Sequence, residues 1–221
     1  MALIVFDWDG VLYRGVKVKL RAFGQACREK ASLPSRYAVE RYWEGGRNNF
    51  EVFEREYREY FGRQPPENLA KQMQARYSEL LKGRIEKAGL FKEVKTALAG
   101  LAEDGHTLAI SSSANPESIA SLLAANGIRY HFNEVLGTTT KKRAFTKGKP
   151  HLSHLQQKFG VPASKIVFVG DAPEDMRVGK EFGAITVGRR GTCSEEKLRA
   201  AGARHTVSNL HELRRLVRRL E

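Results

Sequence analysis

Two aspartates two positions apart close a short apolar run near the start of the chain. Ala2-Leu3-Ile4-Val5-Phe6 leads straight into Asp7-Trp8-Asp9-Gly10. An unbroken apolar run of this length reads as a strand buried on both faces, and packing has no use for two carboxylates at its exit. A carboxylate placed there can serve as nucleophile, as proton donor or acceptor, or as ligand to a hard cation. An Asp9-Gly10 turn would account for the second acid but not for Asp7. Two further polar clusters follow apolar runs: Ser111-Ser112-Ser113 after 107–110, and Gly170-Asp171-Ala172-Pro173-Glu174-Asp175 after 165–169. Between them, Lys147-Gly148-Lys149-Pro150 opens a helical segment.

These clusters need a scaffold that gathers them. The apolar runs at 2–6, 107–110, 165–169 and 184–187, with a weaker one at 205–207, alternate with helical periodicity. Phe91, Val94, Leu98 and Leu101 form one such stripe, and Asn115-Pro116 caps another helix. Strands alternating with helices predict an α/β fold, a Rossmann-like parallel sheet with right-handed crossovers. In such a sheet ligands bind outside the carboxyl ends of the strands, so the polar clusters belong on one edge. Residues 17–83 break the alternation. Four helices are expected there, at about 17–31, 35–44, 49–61 and 66–82, with Phe50, Phe53, Tyr57 and Phe61 on one stripe and Leu69, Met73, Tyr77 and Leu80 on another. The expected division is a core of 1–14 and 88–221 and an inserted all-helical module of 15–87.

Asp7-Trp8-Asp9-Gly10-Val11-Leu12, Ser111, Lys149-Pro150 and Gly170-Asp171-x-x-x-Asp175 together resemble the four ordered motifs of the haloacid dehalogenase-like (HAD) hydrolases. The likeness spans essentially the whole chain. It implies Asp7 as a nucleophile that forms an aspartyl-phosphate, and Asp9 as the general acid and base. Ser111, with Ser112 beside it, would contact the phosphoryl oxygens. Lys149 would neutralise their charge and restrain Asp7. Mg²⁺ would be held by Asp7, by Asp171 and by the main-chain carbonyl of Asp9. Asp175 would be either a further carboxylate of the metal site or an anchor for Lys149. Aspartate at position 9 also sets the chain apart from dehalogenating and phosphonate-cleaving members, which leaves a phosphate ester as substrate. The helical module lies between the first and second motifs, where the family's C1 caps occur. Its Gly45-Gly46-Arg47-Asn48-Asn49 loop resembles the family's substrate-specificity loop, with Arg47 available to a second anionic group. Tyr13 and Arg14 are candidate gate residues, and Tyr42 and Trp43 belong either to the cap core or to the cleft.

The resemblance implies a Mg²⁺-dependent phosphatase of the phosphoglycolate phosphatase kind, acting on a small phosphorylated metabolite. A β-phosphoglucomutase-like mutase using the same aspartates is the alternative. A basic nucleic-acid-binding protein on a HAD core is the third reading, and the four intact motifs argue against it. Charge bears on the last point. The chain of 221 residues carries a formal net charge of +13, which suits nucleic acid, a membrane surface or a small anionic substrate. The excess is uneven: 137–165 holds seven basic and no acidic side chains, the tail from 189 is also positive, and the stretches 1–10 and 166–188 are slightly acidic. No apolar run approaches the length of a membrane span, and Met1 to Asp7 has no signal-peptide pattern. Cys27 and Cys193 lack metal-like spacing, so a cytoplasmic monomer or homodimer is expected. His151 and His154, spaced i and i+3, read as a surface pair. Arg214, Arg215, Arg218 and Arg219 read as the polar face of an amphipathic edge helix.

Overall fold

Apolar runs flanked by helices become a sheet because only neighbouring strands can satisfy their backbone groups once both faces are covered. In a computed structural model of the chain, residues 1–42, 49–139 and 145–220 are described. The chain divides into two units, Met1–Arg14 with Leu90–Glu221, and Gly15–Gly89.

The first unit is built on six parallel strands: β1 (Leu3–Phe6), β2 (Thr107–Ser111), β3 (Glu134–Leu136), β4 (Ile166–Gly170), β5 (Ile185–Arg189) and β6 (His205–Val207). Their order is β3-β2-β1-β4-β5-β6. This is the doubly wound arrangement, in which the chain crosses over next to β1 and leaves a crevice there. β3 is a three-residue strand that the apolar pattern of Glu134-Val135-Leu136 is too short to announce. The helices of this unit are α5 (Val94–Glu103), α6 (Pro116–Ala125), α7 (Lys149–Phe159), α8 (Pro173–Phe182), α9 (Glu195–Ala200) and α10 (Leu210–Leu220). They cover both faces of the sheet. On one face Leu3, Val5, Ala109, Ile166 and Phe168 pack with Leu152 and Leu155 of α7. The alternate residues Ile4, Phe6, Leu108, Ile110, Val167 and Val169 are equally buried. Asn115 caps α6 by accepting from the Glu117 and Ser118 amides.

The second unit contains α1 (Val16–Ala31), α2 (Ser35–Glu40), α3 (Asn49–Phe61) and α4 (Leu69–Leu81). Phe23, Cys27, Phe53, Tyr57, Met73 and Tyr77 form its core, and Tyr42 packs edge-on against Phe23 at 5.1 Å, which assigns Tyr42 to that core. Glu56, fully buried, is held between Arg41 and Arg55. Trp43 and Arg47 lie outside the described residues.

Candidate active site

Strand register explains why the polar clusters meet. Phe6 pairs with Ile110 of β2 and with Val169 of β4. The next residue on each strand is therefore level: Asp7, Ser111 and Gly170, with Asp171 one step beyond. All lie at the carboxyl edge of the sheet, beside the crossover.

The site opens with a tight turn. Leu12 and Tyr13 both donate to the Trp8 carbonyl, Gly10 donates to the Tyr13 carbonyl, and Trp8 stacks on Tyr13 at 5.0 Å. Tyr13 is fully buried, so it anchors this turn and is not the gate residue its position suggested; Arg14 is exposed. Gly10 has φ +77°, and a Cβ there would fall 1.8 Å from Asp171 Oδ2. The glycine after Asp9 thus serves close approach as well as turning. Arg189, almost wholly buried, fixes the turn from β5. It donates to the carbonyls of Gly10 and Val11 at 3.3 and 2.8 Å, pairs with Glu93 at 2.7 Å, and lies 3.5 Å over the Phe91 ring. Burial lowers its pKa, against the opposing charges of Glu93 and Asp171.

Asp7 and Asp175 share one ammonium, and it belongs to Lys147. Its Nζ is 2.8 Å from Asp7 Oδ2 and 2.6 Å from Asp175 Oδ1. The expectation for Lys149 is corrected here. Gly148 has φ +108°, which turns the backbone between the two lysines. Lys147 is thereby aimed at the carboxylates, while Lys149 becomes the exposed first residue of α7. The second Asp7 oxygen accepts from the Trp8 amide at 2.7 Å. The second Asp175 oxygen accepts from the Ala172 amide at 3.3 Å, which caps α8. Both Asp175 oxygens are thus engaged, one of them as the lysine's anchor. Gly170 permits this closeness, since a Cβ on it would sit 2.3 Å from Asp175 Cβ.

Electrostatics follow from burial. Desolvation raises the Asp7 pKa to about 7, against the pull of Lys147 and with a push from Asp175 and Asp9. Asp171 is raised well above the usual carboxylate range by burial and by the charges of Asp7 and Asp175. Burial disfavours the Lys147 ammonium, yet Asp175 and Asp7 outweigh it and hold the proton firmly. Asp7, Asp171 and Asp175 bring carboxylate oxygens within 4.8 Å of one another. Asp171 Oδ2 is buried without a hydrogen-bond partner. Three carboxylates against one ammonium, with an orphaned hard oxygen among them, fit a divalent cation.

Ser111 and Ser112 are both buried. The Ser112 hydroxyl accepts from the Ala114 amide at 3.1 Å, so it is occupied in its own turn. Thr138 then links two parts of the site: its hydroxyl donates to the Ser112 carbonyl at 3.2 Å and accepts from the Lys147 amide at 3.1 Å. Ser111 Oγ lies 3.0 Å from His151 Nδ1. His151 is fully buried beneath the site and tilts against Phe145, at variance with a surface histidine pair. Thr138, His151 and Arg189 have no signal in the sequence beyond residue type. Lys147 had one, its place before a glycine that introduces a helix.

Strand-end carboxylates beside a lysine, on a doubly wound sheet with a helical insertion after the first strand, define an α/β protein with a polar site at the carboxyl edge of its sheet. A sequence profile of the haloacid dehalogenase-like hydrolases matches residues 1–183, and the chain belongs to that family. It is therefore an enzyme of the hydrolase class. Among its relatives, the phosphoglycolate phosphatase of Pectobacterium atrosepticum is 29% identical over 193 residues, covering 84% of this chain and 78% of that one. Among solved structures, a predicted phosphoglycolate phosphatase from Haemophilus somnus 129pt superposes with a TM-score of 0.78 at 21% identity, covering 98% of each chain. A hydrolase from Pseudomonas syringae gives 0.79 at 17% identity, covering 99% of each. These structural likenesses carry the fold alone. Among the described residues, no helix is long and apolar enough to cross a membrane.

Proposed function

We propose that this enzyme is a Mg²⁺-dependent phosphatase that hydrolyses a small phosphorylated metabolite through an aspartyl-phosphate on Asp7. The observation that carries this reading is the Lys147 ammonium set between Asp7 and Asp175, beside the partnerless oxygen of Asp171. Asp7 attacks phosphorus as the bond to the ester oxygen breaks, and Asp9 delivers a proton to that oxygen. In the second half, Asp9 takes a proton from water as the water oxygen attacks the same phosphorus. The Asp7–phosphate bond breaks, and inorganic phosphate leaves. Lys147 offsets the charge on the phosphoryl oxygens, and Ser111 hydrogen-bonds them. Asp7, Asp171 and the Asp9 main-chain carbonyl would hold Mg²⁺, which supplies further neutralisation of phosphoryl charge when bound. Asp175 fixes Lys147. Residues 15–87 are proposed as the substrate-selecting cap, with Arg47 as a candidate contact.

The test is phosphate release from a panel of 2-phosphoglycolate, sugar phosphates and nucleoside monophosphates, with Mg²⁺ or with chelator. Phosphoglycolate comes first because the Pectobacterium relative bears that name. Asp7→Asn should cut turnover by about a thousandfold or more while keeping the fold. Full activity in that variant, or activity indifferent to chelator, would sink the mechanism. Phosphoryl migration within a sugar phosphate, without net release, would move the enzyme to the mutases.

A further inference from the structure

The open edge of the sheet carries a second concentration of positive charge, remote from Asp7. Beside β6, the third strand over from β1, lies a cavity of about 320 Å³ lined by Arg199, Arg204, His205, Thr206, Arg215 and Arg219. That volume is at the lower end of the range for small-molecule sites. The acid that also borders it, Glu212, accepts from the Ser208 amide at 2.7 Å and the Asn209 side chain at 3.3 Å, so it is spent on the start of α10. Arg199 is paired with Glu195 at 2.8 Å. Among the described residues, Arg204, Arg215 and Arg219 make no ion pair. His205 Nε2 is buried without a hydrogen-bond partner. Burial, then the charges of Arg204, Arg199 and Arg219, lowers the His205 pKa.

The fold also divides what the sequence presents as one basic helix. Arg214 and Arg218 each make a forked pair with Asp104, at 2.7–2.9 Å, on the side where α10 meets α5. Arg215 and Arg219, one position on in each case, line the cavity instead. The free charge of α10 is therefore concentrated in a pocket and does not run as a stripe along the helix. A nucleic-acid backbone calls for cations along an extended track. A compact anion with several charges is satisfied by three arginines converging on one concavity.

We propose that this cavity binds a small anion carrying two or more phosphoryl groups, of the size of a nucleoside di- or triphosphate. Arg204, Arg215 and Arg219 supply the charge, while the Thr206 hydroxyl is already committed to Glu195, to which it donates at 2.8 Å.

The probe is inorganic tripolyphosphate, titrated calorimetrically into the full chain at physiological ionic strength with chelator present. Without a divalent cation, the three carboxylates around Lys147 repel a polyanion, so binding there is suppressed. Arg215→Gln/Arg219→Gln should weaken binding at least tenfold and leave phosphate-ester hydrolysis and melting temperature unchanged. Arg204→Gln should weaken it by a smaller factor, and it serves if the double variant melts early. Arg63→Gln/Arg84→Gln removes the same charge from exposed positions of the helical unit and should bind as wild type does. Equal weakening in both double variants would overturn the proposal in favour of bulk charge. No binding by the wild type would reduce these arginines to guards of a free strand edge. Tighter binding of a short RNA, lost in Arg215→Gln/Arg219→Gln, would overturn the small-anion occupant.

Discussion

Lys147 and Lys149 differ by two positions and by their entire surroundings. One lies between Asp7 and Asp175; the other is exposed at the start of α7. Lys147→Met should lower kcat/KM by about a hundred- to a thousandfold, the scale of losing one charged stabiliser of a developing anion. Lys149→Met should stay close to wild type, and steady-state kinetics on both variants checks the assignment. His151 permits a second test. Its hydrogen bond orients the Ser111 hydroxyl, so His151→Leu should cost about tenfold in kcat/KM. His151→Asn, whose amide can reach Ser111, should recover part of that loss. In a Ser111→Ala background, His151→Leu should add nothing further.

His151 also has a pH signature. Burial first, then the charges of His154 and Lys147, pushes its imidazole down to about 4 from an ordinary 6.5. The unfolded chain therefore binds the proton more readily across that window. The stability due to neutral His151 is complete above about pH 6.5 and is lost as the pH falls toward 4. Denaturant titrations should show wild type losing stability relative to His151→Asn as pH falls through this range. Parallel curves would contradict the buried neutral imidazole.

Among the elements, the turn after β1 and the helical unit show different means of fixing structure. The turn is closed by its own backbone hydrogen bonds and the Trp8–Tyr13 stack, and Arg189 on β5 clamps two of its carbonyls. In the helical unit, Glu56 sits buried between Arg41 and Arg55. Removing the counter-charges of a buried carboxylate leaves it uncompensated, so Arg41→Ala/Arg55→Ala should destabilise the protein by about 3–5 kcal/mol. Thermal or chemical unfolding measures it; a loss within the range of a surface substitution would show the pair to be incidental. The helix spans at 17–31 and 49–61 were legible because aromatic and aliphatic stripes repeat at helical spacing. β3 was not legible, because three residues carry too short a pattern to tell strand from loop.

For the molecule as a whole, the acid cluster makes stability depend on cation and pH together. Burial raises Asp7 to about 7 and Asp171 well above its ordinary value. A carboxyl raised in the fold favours folding below its unfolded pKa of about 3.8. That contribution disappears as pH rises through about 7, when the buried group must ionise. A divalent cation relieves the resulting repulsion. Added Mg²⁺ should therefore raise the melting temperature more at pH 8 than at pH 5, and Asp171→Asn should reduce the difference. An equal shift at both pH values would separate metal binding from these carboxylates.

The sequence alone determined the parallel sheet, the helical insertion and the placing of Asp7, Ser111 and Asp171 on one edge. Each of these follows from local periodicity, and residues at equivalent strand ends become neighbours once the strands are parallel and in register. Tertiary structure alone decided which lysine reaches the carboxylates, since that depends on the backbone angle at Gly148. It also decided that Arg189 holds a turn 179 residues away, that His151 lies beneath Ser111, and that adjacent arginines of α10 face different partners. Those outcomes rest on contacts between distant segments, and composition and periodicity carry no record of them.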